Sequence, residues 1–117
     1  MTVLKRFVEE ELAIHHRAQR AGHVDDAWTA LERAHILSQP DAWLHTRVHL
    51  AMLRFAAGLG DGVEMRGQIA RIAVAGIGSL LGRAPRGNIG RATVPIMAVM
   101  PVPPDIEAKL RRAAGRE

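Results

Sequence analysis

Residues 25–57 read DDAWTALERAHILSQPDAWLHTRVHLAMLRFAA, and this stretch decides the fold. Ahead of the break at Ser38-Gln39-Pro40, apolar residues recur at Ala27, Leu31, Ala34 and Leu37, the three- and four-residue steps of one helix face. Pro40 lacks a backbone donor and cannot continue that helix, and Asp41 is placed to cap the next. Beyond it Ala42, His45, His49, Met52, Leu53 and Ala56 fall on the stripe of a second helix. Helices joined by so short a break lie antiparallel, so the stretch is a helical hairpin.

The same signals extend outward on both sides. Thr2 can cap a first helix that Gly22 stops, and the Gly58-Leu59-Gly60-Asp61 turn ends the third helix and leads into a fourth. The expected fourth helix buries Met65, Ile69, Ile72, Ala73, Gly76 and Leu80. The chain is therefore expected to be all-α and one domain over 1–117, with helices over 2–21, 25–38, 42–57 and 63–81 arranged as two antiparallel hairpins. A faint repeat agrees, since shifting Gly22 onto Gly60 also sets Leu31 on Ile69, Arg33 on Arg71 and Leu12 on Leu50. That spacing is close to the tetratricopeptide period, so the expected form is a compact, TPR-like four-helix bundle. Residues 83–104 hold five of the six prolines yet include Val94, Ile96, Met97, Val99, Met100 and Val102, which predicts an extended apolar arm across the bundle. Pro104-Asp105 opens a short last helix over 105–114.

Composition bounds the function more than it names it. A chain of 117 residues suffices for one modest core. The absence of cysteine removes disulfides and thiolate metal sites and is compatible with a reducing cytoplasm, the expected location. The first helix carries Lys5, Arg6 and three consecutive glutamates, unlike a signal peptide, and the apolar run from Ile72 to Leu81 is too short to span a bilayer. The net charge of +4 comes from arginines spread over every segment without interleaved aromatic residues, which argues against a nucleic-acid partner. A protein partner or a second copy of the chain is left open.

One constellation points to chemistry. Glu11 falls in the middle of the apolar face of the first helix, among Leu4, Phe7, Val8, Ile14 and Ala18. A carboxylate cannot leave water unpaired without a cost of several kcal/mol. His45 and His49 lie inside the stripe of the third helix, and His35 flanks that of the second. In an antiparallel hairpin, residues equidistant from the turn share a level: around Pro40, His35 faces His45 and Glu32 faces His49, and around His23, Glu11 faces His35. The expected metal ligands are thus Glu11, His35, His45 and His49, with Glu32 and His15 as further candidates, and nitrogen–carboxylate donors suit Zn²⁺, Fe²⁺ or Mn²⁺. Two other readings stand beside it. The cluster can be a hydrogen-bonded network that fixes helix register in a non-enzymatic interaction module, or a metal-free acid–base site. Nothing here names a substrate or a reaction.

Elsewhere the chemistry is thin. The run from Pro85 to Gly90, beside Arg83 and Arg91, can expose backbone donors to an anion but lacks the lysine of a phosphate loop, so a structural turn is expected. Trp28 and Trp43 are expected in the core or between the hairpins, and His16 and His23 at the surface.

The segment LERAHIL from Leu31 to Leu37, followed by Gln39, His45, His49, Met52-Leu53, Gly67-Gln68 and Gly87-Asn88, resembles a small bacterial family known as domain of unknown function 3703. The resemblance runs from the first helix to Pro104. Near Gly90 the family pattern resembles a glycine-glycine-alanine-asparagine run, where this chain has Arg91-Ala92-Thr93. It implies a bacterial protein of about this length and carries no activity with it.

Overall fold

The computed structural model describes residues 1–80, 89–92, 94 and 99–115, with the backbone alone for 75–80. Among these residues all regular structure is helical: α1 (Val3–Arg20), α2 (Val24–Ser38), α3 (Ala42–Leu59), α4 (Gly62–Leu80) and α5 (Pro104–Ala113). Local chemistry sets several of the ends. The Thr2 hydroxyl accepts from the Lys5 N–H at 3.1 Å, and the Asp41 carboxylate accepts from that of Leu44 at 3.0 Å. Asp61 does the same for Glu64 at 3.0 Å at the start of α4. Gly60 closes α3 at φ +70°, a left-handed conformation that a Cβ would oppose.

The helices pack in chain order, α1 on α2, α2 on α3 and α3 on α4, while α5 lies against α1 and α2. Val8, Leu12, Leu31, Leu37, Val48 and Met52 form the shared core, and Trp28 meets Phe55 edge-on with ring centroids 5.0 Å apart. Burial of one such side chain contributes about 1.5–3 kcal/mol. Ile106 anchors α5 in this core and is fully buried. Arg33 holds the same helix from outside by binding both Asp105 and, at 3.0 Å, Glu11 of α1. Lys109 and Arg112 of α5 approach the ring of Phe7 on α1 to 5.5 and 5.8 Å.

Three faces differ from the periodicity. In α1 the buried side turns toward Leu12 and His15, and Ile14 is exposed. Trp43 is 77% exposed rather than packed between the hairpins. In α4, Ile69 is 56% exposed, and the buried line is the polar set Glu64, Gln68 and Arg71, one and two turns apart. The reason is what covers α4. Residues 90–92 and 94 lie on it: the Gly90 carbonyl accepts from Gln68, the Ala92 N–H donates to Glu64 at 3.2 Å, and Arg71 donates to the Val94 carbonyl. A chain segment with open backbone groups requires polar partners beneath it, so α4 buries polarity where its neighbour is an arm instead of a helix. Of the arm expected over 83–104, residues 89–92, 94 and 99–103 are described. Pro85, Arg86 and the Gly87-Asn88 turn of the anion-loop reading lie outside the described residues, as do the side chains of Gly76 and Leu80. No helix among the described residues is long and apolar enough to cross a membrane.

Replacing Ile106 by Ala removes the apolar anchor of α5. The expected loss is about 2–5 kcal/mol of unfolding free energy, read from urea denaturation; a variant as stable as the parent would mean that α5 adds nothing to the core.

Candidate metal centre

His35 on α2 and His45 and His49 on α3 converge at one point inside the protein, each at most 5% exposed. The level rule around Pro40 places His35 opposite His45, and one helical turn along α3 brings His49 beneath them. The Nε2 of His35 lies 2.9 Å from Nε2 of His45 and 3.1 Å from Nε2 of His49. The rings meet at steep angles, 64° and 72°, so they converge edge to edge instead of stacking.

The proton positions follow from the partners. Gln68 of α4 donates through Nε2 to the carbonyl of Gly90 at 2.9 Å and to Glu64 at 3.2 Å. Its amide oxygen therefore faces Nδ1 of His49, 2.7 Å away, and Nδ1 must carry the proton. The Nε2 of His49 is left with its lone pair turned to the other two rings. With His49 Nε2 bare, an unprotonated His35 Nε2 would set lone pair against lone pair, while a proton on His35 Nε2 points at only one of its two nitrogen neighbours. A divalent cation relieves this repulsion: nitrogens at these separations subtend an angle of about 90° at an ion roughly 2.1 Å from each. Each of these two pairs thus fits adjacent positions of a coordination sphere, and all three donor atoms lie within 4.8 Å of one another.

Electrostatics favours the neutral, ligating rings. Burial, with the nearby His49 adding to it, pulls the pKa of His45 down from 6.5 to about 4. Burial also lowers His49, assisted by the charge of Arg71 and opposed by the bond to Gln68.

Glu11, Glu32 and His15 are not brought to this point; among the described residues the converging group is His35, His45 and His49. Glu11 is buried as expected, but it accepts from Nε of Arg33 at 3.0 Å. The level rule fixes height along a hairpin and leaves direction around the helix open. Arg33 and His35 are two residues apart, about 200° around α2, so one faces α1 and α5 while the other faces α3. Glu32 pairs with Arg91 at 3.3 Å, and burial, only partly offset by that arginine, raises its pKa. His15 donates from Nδ1 to the Ala27 carbonyl at 3.0 Å. Lying elsewhere on the hairpins, all three have acquired other partners.

Sequence reasoning missed the second layer. Glu64 is fully buried and binds Arg91 as well as the Ala92 amide; Arg91 in turn reaches Glu32 and covers the Trp28 ring at 3.8 Å. The Glu64-x-x-x-Gln68 spacing, which puts two polar groups on one face of α4, was the available signal. Gly90 lies directly on His35. At φ +83°, a Cβ there would fall 2.5 Å from the imidazole.

Comparison with known proteins assigns the chain to a class defined by sequence. Residues 2–110 match the family described as "Protein of unknown function (DUF3703)", and the chain belongs to that family. No curated protein and no solved structure matches it.

Two outcomes follow. Between pH 6.5 and about 4 the unfolded chain takes up a proton at His45 that the folded protein refuses, so stability is full above 6.5 and falls as pH drops toward 4. His49 and His15 act in the same direction, while the raised Glu32 opposes them. Urea midpoints of metal-free protein across this window should decline; a flat profile would contradict neutral buried imidazoles. Gly90→Ala should displace the arm from His35, costing about 1–3 kcal/mol from the positive φ alone, and a parental urea midpoint would contradict the close approach.

Proposed function

We propose that this protein binds one divalent transition metal ion, Zn²⁺, Fe²⁺ or Mn²⁺, through His35, His45 and His49. The carrying observation is the meeting of three buried Nε2 atoms with the Nδ1 proton of His49 already committed to Gln68. Gln68 orients the ligand and fixes its tautomer, as partners behind metal-bound histidines do. Glu11 is outside the ligand set, since its carboxylate neutralises Arg33. Three protein ligands leave coordination positions for a water or a small molecule. With this reading goes the expectation of a bacterial, cytoplasmic protein that acts with a protein partner or a second copy of itself.

Elemental analysis of untagged protein purified without added metal or chelator tests the proposal. Near one equivalent of zinc, iron or manganese per chain is expected, absent from His49→Ala. Gln68→Met should retain the site with affinity lowered about 10–100-fold. Metal neither present nor taken up on titration would leave the cluster as a buried hydrogen-bonded network that sets helix register.

A further inference from the structure

His15 is the buried histidine that the three-histidine centre does not use. It is 2% exposed, and its ring is clamped edge-on by Phe55 with centroids 4.9 Å apart. A carbonyl can only accept, so the 3.0 Å contact with Ala27 places the His15 proton on Nδ1 and leaves Nε2 with its lone pair. Burial lowers the pKa of the ring, which keeps that lone pair available. Nε2 has no hydrogen-bond partner among the described residues, yet no fully enclosed side-chain nitrogen or oxygen among them is without one. The atom must therefore reach open space.

His15 lines a cleft of about 280 Å³ between α1 and α3. Leu12, Ala51 and Phe55 supply its apolar wall, while Gln19 and Arg54 bring polar groups to it. Arg47 also lines the cleft, but its guanidinium is tied to Glu9. Arg54 is exposed and pairs with none of the described residues, which makes it the cation available to a ligand.

We infer that the cleft binds a small organic carboxylate that also carries a hydroxyl group. The fixed acceptor at His15 Nε2 calls for a donor on the ligand, the Arg54 guanidinium calls for a carboxylate, and the Leu12–Phe55 wall calls for a short carbon chain beside them. Inorganic phosphate offers an O–H and negative charge but would leave the apolar wall uncovered. The site is independent of the histidine centre, so it stands or falls apart from metal binding.

The test reads the His15 nitrogens by long-range proton–nitrogen NMR on the full-length, ¹⁵N-labelled protein as isolated. Added 2-hydroxybutyrate should shift Nε2 saturably, with Nδ1 still protonated. Butyrate, which lacks the donor, should bind about tenfold more weakly, the worth of one lost hydrogen bond. Arg54→Gln alters an exposed side chain that folding does not need, and it should weaken 2-hydroxybutyrate by a similar factor. The inference is overturned by an Nε2 signal that ignores 2-hydroxybutyrate into the tens of millimolar. It is equally overturned by equal binding of butyrate, by unchanged binding to Arg54→Gln, or by tighter binding of phosphate.

Discussion

The carboxamide of Gln68 has partners in three different parts of the chain. Its oxygen takes the Nδ1 proton of His49 on α3, and its nitrogen serves Glu64 on its own helix and the Gly90 carbonyl in the arm. Gln68 is fully buried, so each of these bonds is made away from water, where an unmet amide costs about 1–3 kcal/mol. The constraint is mutual. The rotation of α4 about its axis, the tautomer of His49 and the height of the arm over His35 are all set by one planar group. An apolar side chain at the same place would pack α4 on α3 equally well and would leave the ring, the carbonyl and the carboxylate without instructions.

Around this group the charges are arranged so that each buried carboxylate has an arginine. Glu64 meets Arg91, which also reaches Glu32, and Glu11 meets Arg33, which also reaches Asp105. Each arginine bridges elements far apart in sequence. Guanidinium suits this use, because its forked donors can serve two carboxylates at once. Such pairs stabilise little in net terms against apolar packing, but they penalise any arrangement that separates them. Their consequence is a defined docking of the arm and of α5 on a core built largely from small side chains.

Much of this was legible in the sequence where the physics is local. Asp41 after Pro40, Thr2 at the start and Gly60 at the turn mark helix ends through capping and backbone sterics, which act over a few residues. The meeting of His35 with His45 and His49 was legible because a tight hairpin turns sequence distance into height. Glu11 shows where this stops: height was right in kind, but direction around α2 was not encoded in the spacing, and Arg33 claimed the carboxylate. The polar face of α4 was illegible for a different reason. Met65, Ile69 and Ile72 form an acceptable apolar stripe, and only the presence of an aperiodic arm, with backbone groups to satisfy, selects Glu64, Gln68 and Arg71 for burial instead.

The approach of α5 to α1 fixes one more property of the molecule. Asp105 is level with Glu11 through their shared arginine, and further along, Lys109 and Arg112 are level with Phe7. The last helix therefore runs against the direction of the first, and its final turn lies beside the first helix's opening turn. Any polypeptide joined before α1 and any joined after α5 would leave from one shared side of the protein, like two leads from a single terminal block.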